Sequence, residues 1–362
     1  MLSFVRRNWA LTYPEKPAKN EDALRIGLLG ASSIAPMAVI GPAKSHPDVV
    51  IAAIAARDQK RANAYAKLHG IPIVHTSYQA LIDDPSIDAI YIPLPNGLHY
   101  EWALKALKAH KHVLLEKPST SNAAEAASLF RSPLLLPPPQ EQQPNAAAPV
   151  LLEAFHARFH PACEAFLSHV DKENVVTAYA TLTLYAKWRF PNGGIGTMDV
   201  DLSLPGWGPM PGFRWPSCEV VHGETVVEDE SLGEGTGKEH VVVKKVVIWN
   251  MLLPVVWHRI DIMEQHTIRK SDDRKTLKTW TTTEYQKAYT WQDDARKGQG
   301  HESWSTYRHQ LEQFVHRIKG RGSASGVWMD GEDSVKQMEM IDSAYEKAGL
   351  PLRPTSSYQE TA

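Results

Sequence analysis

Three residues with useful chemistry each follow an apolar run in the first third of the chain. Lys117, Gly30 and Arg57 come directly after short segments that are typical of buried strands. Open parallel sheets bind their ligands beyond the carboxyl ends of the strands, so these residues are candidates for one site. A lysine can exchange a proton with a substrate, a glycine turn can hold a phosphate, and a guanidinium can pair with one.

The turn after the first apolar run has the pattern G-x-S-x-x-A, in which small residues replace two of the three glycines of a dinucleotide-binding turn. Such a turn brings backbone N–H groups at a helix N-terminus to a pyrophosphate. The pattern alone is weak, but its position between a predicted strand and a predicted helix supports it. The predicted phosphate-binding residues are Gly30, Ser32, Ser33, Ile34 and Ala35.

Arg57 stands at the end of the second strand, where an acid would accept the ribose hydroxyls of NAD. Its guanidinium suits a 2′-phosphate, so NADP is the predicted cofactor, while Asp58 next to it leaves NAD open. The alternative for Arg57 is a solvated residue at the start of a helix. Lys117, if partly buried beside a cationic nicotinamide, would have a pKa lowered toward the range of proton transfer. Its alternative is an ordinary surface lysine.

The order of strands and helices predicts two kinds of domain. Buried strands alternate with helices in the first part of the chain, which is typical of a parallel doubly wound α/β sheet. Later strands follow one another closely, which predicts a mostly antiparallel sheet in an α+β domain. The predicted parts are a loose N-terminal arm at 1–23, a Rossmann domain at 24–150 with a Pro-rich loop at 132–149, and a substrate and oligomerisation domain at 151–362, whose helix 331–349 can pack back on the Rossmann domain.

Composition bounds the function further. A chain of 362 residues suits two domains, and a net charge of −2 gives no general attraction to nucleic acid or anionic membrane. Apolar runs are far shorter than the roughly 18 residues of a membrane span. Cys163 and Cys218 lack paired spacing, so we predict no disulfide framework, no metal site and a reducing, cytoplasmic location. Arg6 and Arg7 leave a mitochondrial leader open.

Five ordered segments carry a family resemblance. They are VLLEKPSTSNAAEA, YIPLPNGLHYEWALKAL, LLEAFHARFHP, WHRIDIMEQHTIR and GEDSVKQMEMIDSAYEKAGLPLRP. Over about Leu24 to Pro354 the chain resembles the glucose–fructose oxidoreductase/inositol dehydrogenase (Gfo/Idh/MocA) family. It is most similar to the fungal-type branch of NADP-dependent D-xylose 1-dehydrogenases and dihydrodiol dehydrogenases. This implies a Rossmann domain plus an α+β domain with an open-faced, mostly antiparallel sheet, through which we expect a homodimer.

The resemblance also implies roles for single residues. Lys117 would point at the substrate hydroxyl and the nicotinamide, and Pro118 would shape the turn, often with a cis bond. The residues implied to line the cofactor or reach the cleft are Pro95, Asn96, His99, Glu116, Arg158 and His160. For His99 the alternative is a histidine that holds a loop. For His156, Arg158 and His160 it is a polar cluster at the domain joint.

One segment departs from the family pattern. Family oxidoreductases carry G-G-x-x-x-D-x-x-x-[H/Y] at the start of a helix. Aligned from Gly193, with one residue more than the motif before the acid, this segment puts Asp199 at the acid position and Ser203 where His or Tyr belongs. In the alignment that we prefer, FPNGGIGTMDVDL matches a stretch just upstream, and both residues are missing. Residues 204–216 hold four prolines and three glycines, so the usual helix should not form; Trp207, Phe213 and Trp215 would wall a pocket or pack in a core.

We therefore expect an NADP-dependent oxidoreductase that acts on CH–OH groups, with a small-molecule substrate and neither nucleic acid nor membrane as partner. Hydride transfer would involve a sugar, a cyclic alcohol or ketone, or an imine. The aromatic, Pro-rich segment at 204–216 suggests a less polar substrate, such as an intermediate of specialised metabolism. Lys117 would exchange the proton, with His160 or Asp199 as a substitute partner. The altered motif leaves open a non-redox elimination or cyclisation, and a cofactor-sensing regulator.

Overall fold

The computed structural model forms two compact units. One, the antiparallel-sheet unit, contains Met1–Arg7 and His160–Glu302, and the other, the parallel-sheet unit, contains Asn8–Phe159 and Ser303–Ala362. The predicted division between residues 150 and 151 differs from this in two ways. Residues 151–153 form a strand of the parallel sheet, and the last part of the chain, from Ser303, belongs to the parallel-sheet unit. The described residues are 2–137, 147–182, 186–189, 195–200, 216–232, 236–291, 300–321 and 327–358.

Helices and strands are numbered in chain order. The helices are α1 (Leu2–Thr12), α2 (Gly41–Lys44), α3 (Gln59–His69), α4 (Tyr78–Ile82), α5 (His99–Lys108), α6 (Ala123–Phe130), α7 (Pro161–Ser168), α8 (Thr306–Ile318) and α9 (Gly331–Lys347). The strands are β1 (Leu24–Leu29), β2 (Val49–Ala55), β3 (Ile73–His75), β4 (Ala89–Ile92), β5 (His112–Leu115), β6 (Leu151–Glu153), β7 (Val175–Leu182), β8 (Ala186–Arg189), β9 (Ile195–Val200), β10 (Ser217–Val227), β11 (Lys238–Trp249), β12 (Arg259–Lys270) and β13 (Thr276–Gln286).

The parallel-sheet unit has a six-stranded sheet in the order β3-β2-β1-β4-β5-β6. All its strand pairs are parallel, and the order is that of a dinucleotide-binding Rossmann fold. The predicted parallel sheet is therefore confirmed. The order reverses between β1 and β4, so ligands are expected beyond the carboxyl ends of these two strands. Strand β3 was not predicted, since three residues are too few to give a pattern.

Helix α3 illustrates how local sequence fixes an element of this unit. The side chain of Asp58 accepts a hydrogen bond from the Arg61 amide at 3.1 Å, which caps the first turn. Gly70 ends the helix with a φ of 70°, a left-handed conformation that glycine adopts without strain. Both ends were predicted from these residues.

The last two helices of the chain complete the core of the parallel-sheet unit. Leu311 and Phe314 of α8 are fully buried in the same cluster as β1 and β2. Val335 and Met338 of α9 pack against Ala126 of α6. Helix α9, predicted at 331–349, thus packs against α6 of the Rossmann domain, as the sequence analysis considered possible.

The N-terminal arm is partly helical, where a loose polar segment was predicted for residues 1–23. The stretch LSFVRRNWALT contains neither proline nor glycine and forms α1. Arg7 has its guanidinium 3.7 Å from the ring centre of Tyr289, and its Nε donates to the Val255 carbonyl at 2.7 Å. This anchoring of a buried arginine had no signal in the sequence pattern.

The antiparallel-sheet unit has seven strands in the order β13-β12-β11-β10-β7-β9-β8. All neighbours pair antiparallel except β7 and β9, and α7 packs on one face. The mostly antiparallel sheet is confirmed, but the strand predicted at 255–262 begins only at Arg259. Asn250 explains this, because its side-chain amide donates to the carbonyls of Leu253 and Trp257 and holds the preceding residues in a loop. No helix within the described ranges is long and apolar enough to span a membrane.

Candidate active site

The turn after β1 requires a glycine at its first position. Gly30 has a φ of 99°, and its amide donates to the Ala55 carbonyl of β2 at 2.7 Å. A Cβ atom there would lie 3.1 Å from Leu94 Cδ2, on the loop after β4. Any side chain would therefore meet both backbone strain and a close neighbour. The turn can approach Leu94 this closely only because residue 30 has no side chain.

Side chains of α3 tie down the carbonyls of this turn. The Arg61 guanidinium donates to the Ala31 carbonyl at 2.7 Å, and the Tyr65 hydroxyl donates to the Ser32 carbonyl at 2.9 Å. Within the described part of the chain, the amides of Ser33 and Ile34 have no acceptor. These amides precede the helical stretch 36–44 and fit the pyrophosphate of a dinucleotide.

Arg57 is exposed directly after β2, at the same edge of the sheet. The carboxylate of its neighbour Asp58 is already engaged in capping α3, which leaves it less suited to ribose hydroxyls. Tyr78 lies near the backbone of Arg57 and near Gly30, and burial raises the pKa of its hydroxyl, which stays a donor. The groups at this edge thus offer a cation and a phenol to a ribose phosphate.

The loop after β4 is held from below by His99. The ring of His99 is buried, with Nε2 2.6 Å from the Leu94 carbonyl and Nδ1 3.0 Å from the Pro118 carbonyl. Neither nitrogen is left for a cofactor, so the structure favours the alternative of a loop-holding histidine. Pro95 and Asn96 lie at the top of this loop, at the carboxyl end of β4, and are exposed and half-buried respectively.

Glu116 and Tyr91 form a buried pair at the ends of β5 and β4. The Tyr91 hydroxyl donates to Glu116 Oε1 at 2.7 Å, and both side chains are buried. Burial raises the pKa of Glu116, which its hydrogen bonds partly offset. Burial and this carboxylate raise the pKa of Tyr91 strongly, so the phenol remains a donor.

Lys117 follows this pair and is exposed, where a partly buried lysine was predicted. The Lys117–Pro118 peptide bond is cis, as the family resemblance implied. The Ser119 amide, just after this turn, donates to Glu153 Oε1 at 2.9 Å. Glu153 ends β6 and is 1% exposed, and burial raises its pKa although nearby serine groups favour its charged form. The turn that carries the lysine is therefore fixed by a buried carboxyl of the next strand.

A histidine and a tyrosine meet beside this turn. His156 follows β6, and its ring stacks on Tyr307 with centroids 3.8 Å apart and planes at 28°. His156 Nδ1 lies 2.7 Å from the Thr306 hydroxyl, at the first turn of α8. Burial and, to a smaller extent, the charge of Lys117 lower the pKa of His156 to about 4. The ammonium of Lys117 thus disfavours the protonated form of His156.

The remaining predicted site residues fall in other settings. Arg158 pairs with Asp333 at 3.0 Å, within the parallel-sheet unit. His160 begins the other unit and is fully buried, with Nδ1 accepting the Ala162 amide that begins α7. Asp199 lies on strand β9 and not at the start of a helix. The side chain of Asp199 and residues 201–215, including Ser203, lie outside the described residues, and the roles of all these residues stay predictions.

Several residues at this edge were missed by sequence reasoning. Tyr91 and Glu153 sit at the ends of apolar runs, where a polar group that closes a buried strand is a usable signal. Thr306 and Tyr307 carry no such signal, because the fold brings them about 150 residues along the chain to His156. His156 was noticed only as part of a polar cluster.

The comparisons with known proteins agree with this geometry. Residues 24–132 match the model of the GFO_IDH_MocA family, described as an oxidoreductase family with an NAD-binding Rossmann fold. This part of the chain is therefore similar to the family that its motifs indicated. The match covers β1 to α6 and so contains the turn at Gly30, Arg57 and the lysine turn.

Individual relatives are similar over shorter stretches. The chain is 38% identical over 187 residues to D-xylose 1-dehydrogenase (NADP(+)) 2 of Haloferax volcanii, over 52% of this chain and 53% of the relative. It is 34% identical over 143 residues to trans-1,2-dihydrobenzene-1,2-diol dehydrogenase of Homo sapiens, over 40% and 38%. The matches thus span about half or less of these relatives. A 3-ketoreductase of Actinomadura kijaniata, solved with NADP and TDP-benzene, has the same fold, with a TM-score of 0.58, 17% identity and coverage of 90% and 97%.

Proposed function

We propose that the protein is an NADP-dependent oxidoreductase that interconverts a CH–OH group and a carbonyl in a small sugar or cyclic diol. The observation that carries this proposal is the shared edge of one parallel sheet. The exposed Lys117 follows the carboxyl end of β5 and the turn at Gly30 follows that of β1, with only β4 between these two strands. A phosphate-binding turn and a proton-exchanging amine on one edge are what dinucleotide-dependent hydride transfer needs.

The residues of the chain divide the work as follows. The nicotinamide supplies or accepts the hydride when it is bound. In the reducing direction Lys117 gives a proton from its ammonium to the carbonyl oxygen, and in the oxidising direction its amine takes the hydroxyl proton. Glu116, Tyr91 and Glu153 hold the turn that carries this lysine, through the hydrogen bonds described above.

NADP is proposed over NAD because of the residues after β2. Arg57 is exposed and can pair with a 2′-phosphate, while Asp58 is engaged in the helix cap. The xylose dehydrogenase relative is NADP-dependent by name, and the ketoreductase was solved with NADP. D-xylose, the dihydrodiol of the second relative and nucleotide-linked keto sugars are the first substrates to screen.

Fluorescence titration with NADPH and NADH, followed by a hydride-transfer screen, tests the proposal. We expect NADPH to bind and at least one sugar or diol to be turned over. Failure to bind either cofactor would contradict the proposal. Tight NADPH binding without turnover would favour a non-redox enzyme or a cofactor-sensing regulator instead.

The cofactor choice has its own test. Arg57→Ala should weaken NADPH binding about tenfold to a hundredfold, since a charge-assisted hydrogen bond contributes about 1.5–3 kcal/mol, and should leave NADH binding nearly unchanged. Lys60→Ala removes an equally charged, exposed residue of α3 and serves as the control. Equal losses for both cofactors, or for both variants, would contradict a 2′-phosphate contact.

We also propose a cytoplasmic homodimer that associates through the antiparallel sheet. Edge strand β13 is exposed along most of its length, and the register puts the exposed Val226 and Tyr285 on the same face. Both cysteines are free thiols, which suits a reducing compartment. Light scattering should give twice the chain mass, and Tyr285→Lys should lower it. A monomer at micromolar concentration would contradict this assembly.

A further inference from the structure

We propose that His156 is a second catalytic residue beside Lys117, a neutral imidazole whose Nε2–H donates a hydrogen bond to the reacting oxygen of the substrate. The inference rests on the proposed oxidoreductase function. It is carried by the place, the orientation and the protonation of this ring.

The place of His156 is the carboxyl edge of the parallel sheet. It follows β6 as Lys117 follows β5, and Leu115 pairs with Glu153 where these neighbouring strands end. The Ala154 amide donates to the Leu115 carbonyl at 2.7 Å, so the two strand exits stay together. The proposed proton donor and the imidazole thus leave adjacent strands in the same direction.

The orientation of the ring is fixed from two sides. Tyr307 stacks on its face, and the Thr306 hydroxyl contacts Nδ1 at 2.7 Å. Among the described residues the Thr306 hydroxyl has no other acceptor for its proton, so it donates to Nδ1. The ring proton is then on Nε2. That nitrogen has no partner within the described ranges and is not sealed from solvent, so it can meet a ligand.

The surroundings keep this ring neutral. Burial and the nearby Lys117 ammonium lower the pKa of His156 to about 4, so it is an imidazole at neutral pH. A neutral imidazole can polarise a carbonyl by donating a hydrogen bond without losing its proton. Fixed donors aimed at an oxygen that gains charge are among the strongest contributions to catalysis.

The step balances with the groups already named. In the reducing direction the hydride that a bound reduced nicotinamide would supply forms a C–H bond at the carbonyl carbon, the nicotinamide would be left oxidised, and the π electrons move to the oxygen. Lys117 transfers a proton to that oxygen, which completes the hydroxyl. His156 donates its hydrogen bond throughout and keeps its proton, and the oxidising direction reverses these changes.

Two substitutions separate hydrogen bonding from packing. His156→Phe keeps an aromatic ring against Tyr307 but has no donor, and His156→Gln has an N–H near the position of Nε2. We expect His156→Phe to lower kcat on the order of 100-fold, the effect of removing one such donor, with unchanged NADPH affinity. His156→Gln should stay within about tenfold of the unaltered protein. A Phe variant as active as the Gln variant would overturn the proposal.

His112 provides the matched control. It is half-buried on neighbouring strand β5 with a pKa also lowered to about 4, but at the amino end of the strands. His112→Gln should leave kcat unchanged. In protein with 15N-labelled histidine, NADP⁺ should shift the ring signals of His156 and not those of His112, and Lys117→Met should raise the pKa of His156 alone.

These outcomes separate the two proposals. Protein that binds NADP⁺ while the ring signals of His156 stay unchanged would contradict the role of His156 and leave the oxidoreductase proposal intact. Protein that binds neither NADP⁺ nor NADPH would contradict both.

Discussion

The two ends of the carboxyl edge of the parallel sheet, at Gly30 and at Lys117, are built differently. At the turn around Gly30, the candidate phosphate donors are backbone amides, and side chains such as Arg61 only hold the carbonyls of the turn in place. At the Lys117–Pro118 turn, two buried carboxyls with raised pKa values, Glu116 and Glu153, accept hydrogen bonds from backbone amides, and the Lys117 side chain is exposed. The first end depends on shape and the second on charge, so substitutions should act on them in different ways.

The turn should be broken by the smallest added side chain. Gly30→Ala puts a Cβ atom at φ 99° and 3.1 Å from Leu94 Cδ2. We expect the free energy of unfolding to fall by about 1–3 kcal/mol, the range for strained backbone. NADPH affinity should fall at least about tenfold, because moving the turn displaces its free amides. Urea unfolding and fluorescence titration measure the two effects.

Gly70→Ala is the control for backbone strain alone. Gly70 has a φ of 70° at the end of α3, and nothing lies within 4 Å of its added Cβ atom. It should lose about 1–2 kcal/mol of stability and no NADPH affinity. If both variants bind NADPH like the unaltered protein, the turn is not the phosphate site.

The lysine turn should be weakened by removing one donor. Tyr91→Phe takes the 2.7 Å hydrogen bond from Glu116 and leaves a buried carboxyl with fewer partners. We expect a loss of about 1–3 kcal/mol in the free energy of unfolding and a further rise in the pKa of Glu116. Tyr307→Phe is the control, since its hydroxyl makes no hydrogen bond within the described residues and the stack on His156 is kept. Equal stability of the two variants would show that the Tyr91 bond contributes nothing.

The difference between the two ends also explains what could be predicted from sequence. Strand, turn and helix around Gly30 are local, so their patterns gave the turn, Arg57 and both ends of α3. The family resemblance, carried by five ordered segments, predicted the turn at Lys117 and its cis bond. Thr306 and Tyr307 reach His156 only through tertiary packing, and the helix α1 depends on contacts of Arg7 with distant carbonyls. Contacts between residues far apart in the chain leave no local periodicity or motif spacing from which they could be predicted.

The smallest expected effect is a pH-dependent one at Glu153. Its folded-state pKa is raised by burial above the ordinary 4.5, so its contribution to stability is complete below that pH and is lost as pH rises through the folded-state value. Glu153→Gln keeps an acceptor for the Ser119 amide and does not titrate. The stability of the variant relative to the unaltered protein should therefore rise with pH above about 4.5 and then level off.

Urea unfolding between pH 4 and 8 measures this difference, because all other titrating groups are common to both proteins and cancel. Glu332→Gln is the control of opposite sign. That exposed carboxylate has its pKa lowered by hydrogen bonds from Arg131, so its contribution is present above the ordinary pKa, and the relative stability of its variant should be flat above pH 5. A flat profile for Glu153→Gln as well would mean that Glu153 is already ionised without cost, and that the lysine turn is held by geometry alone, like the turn at Gly30.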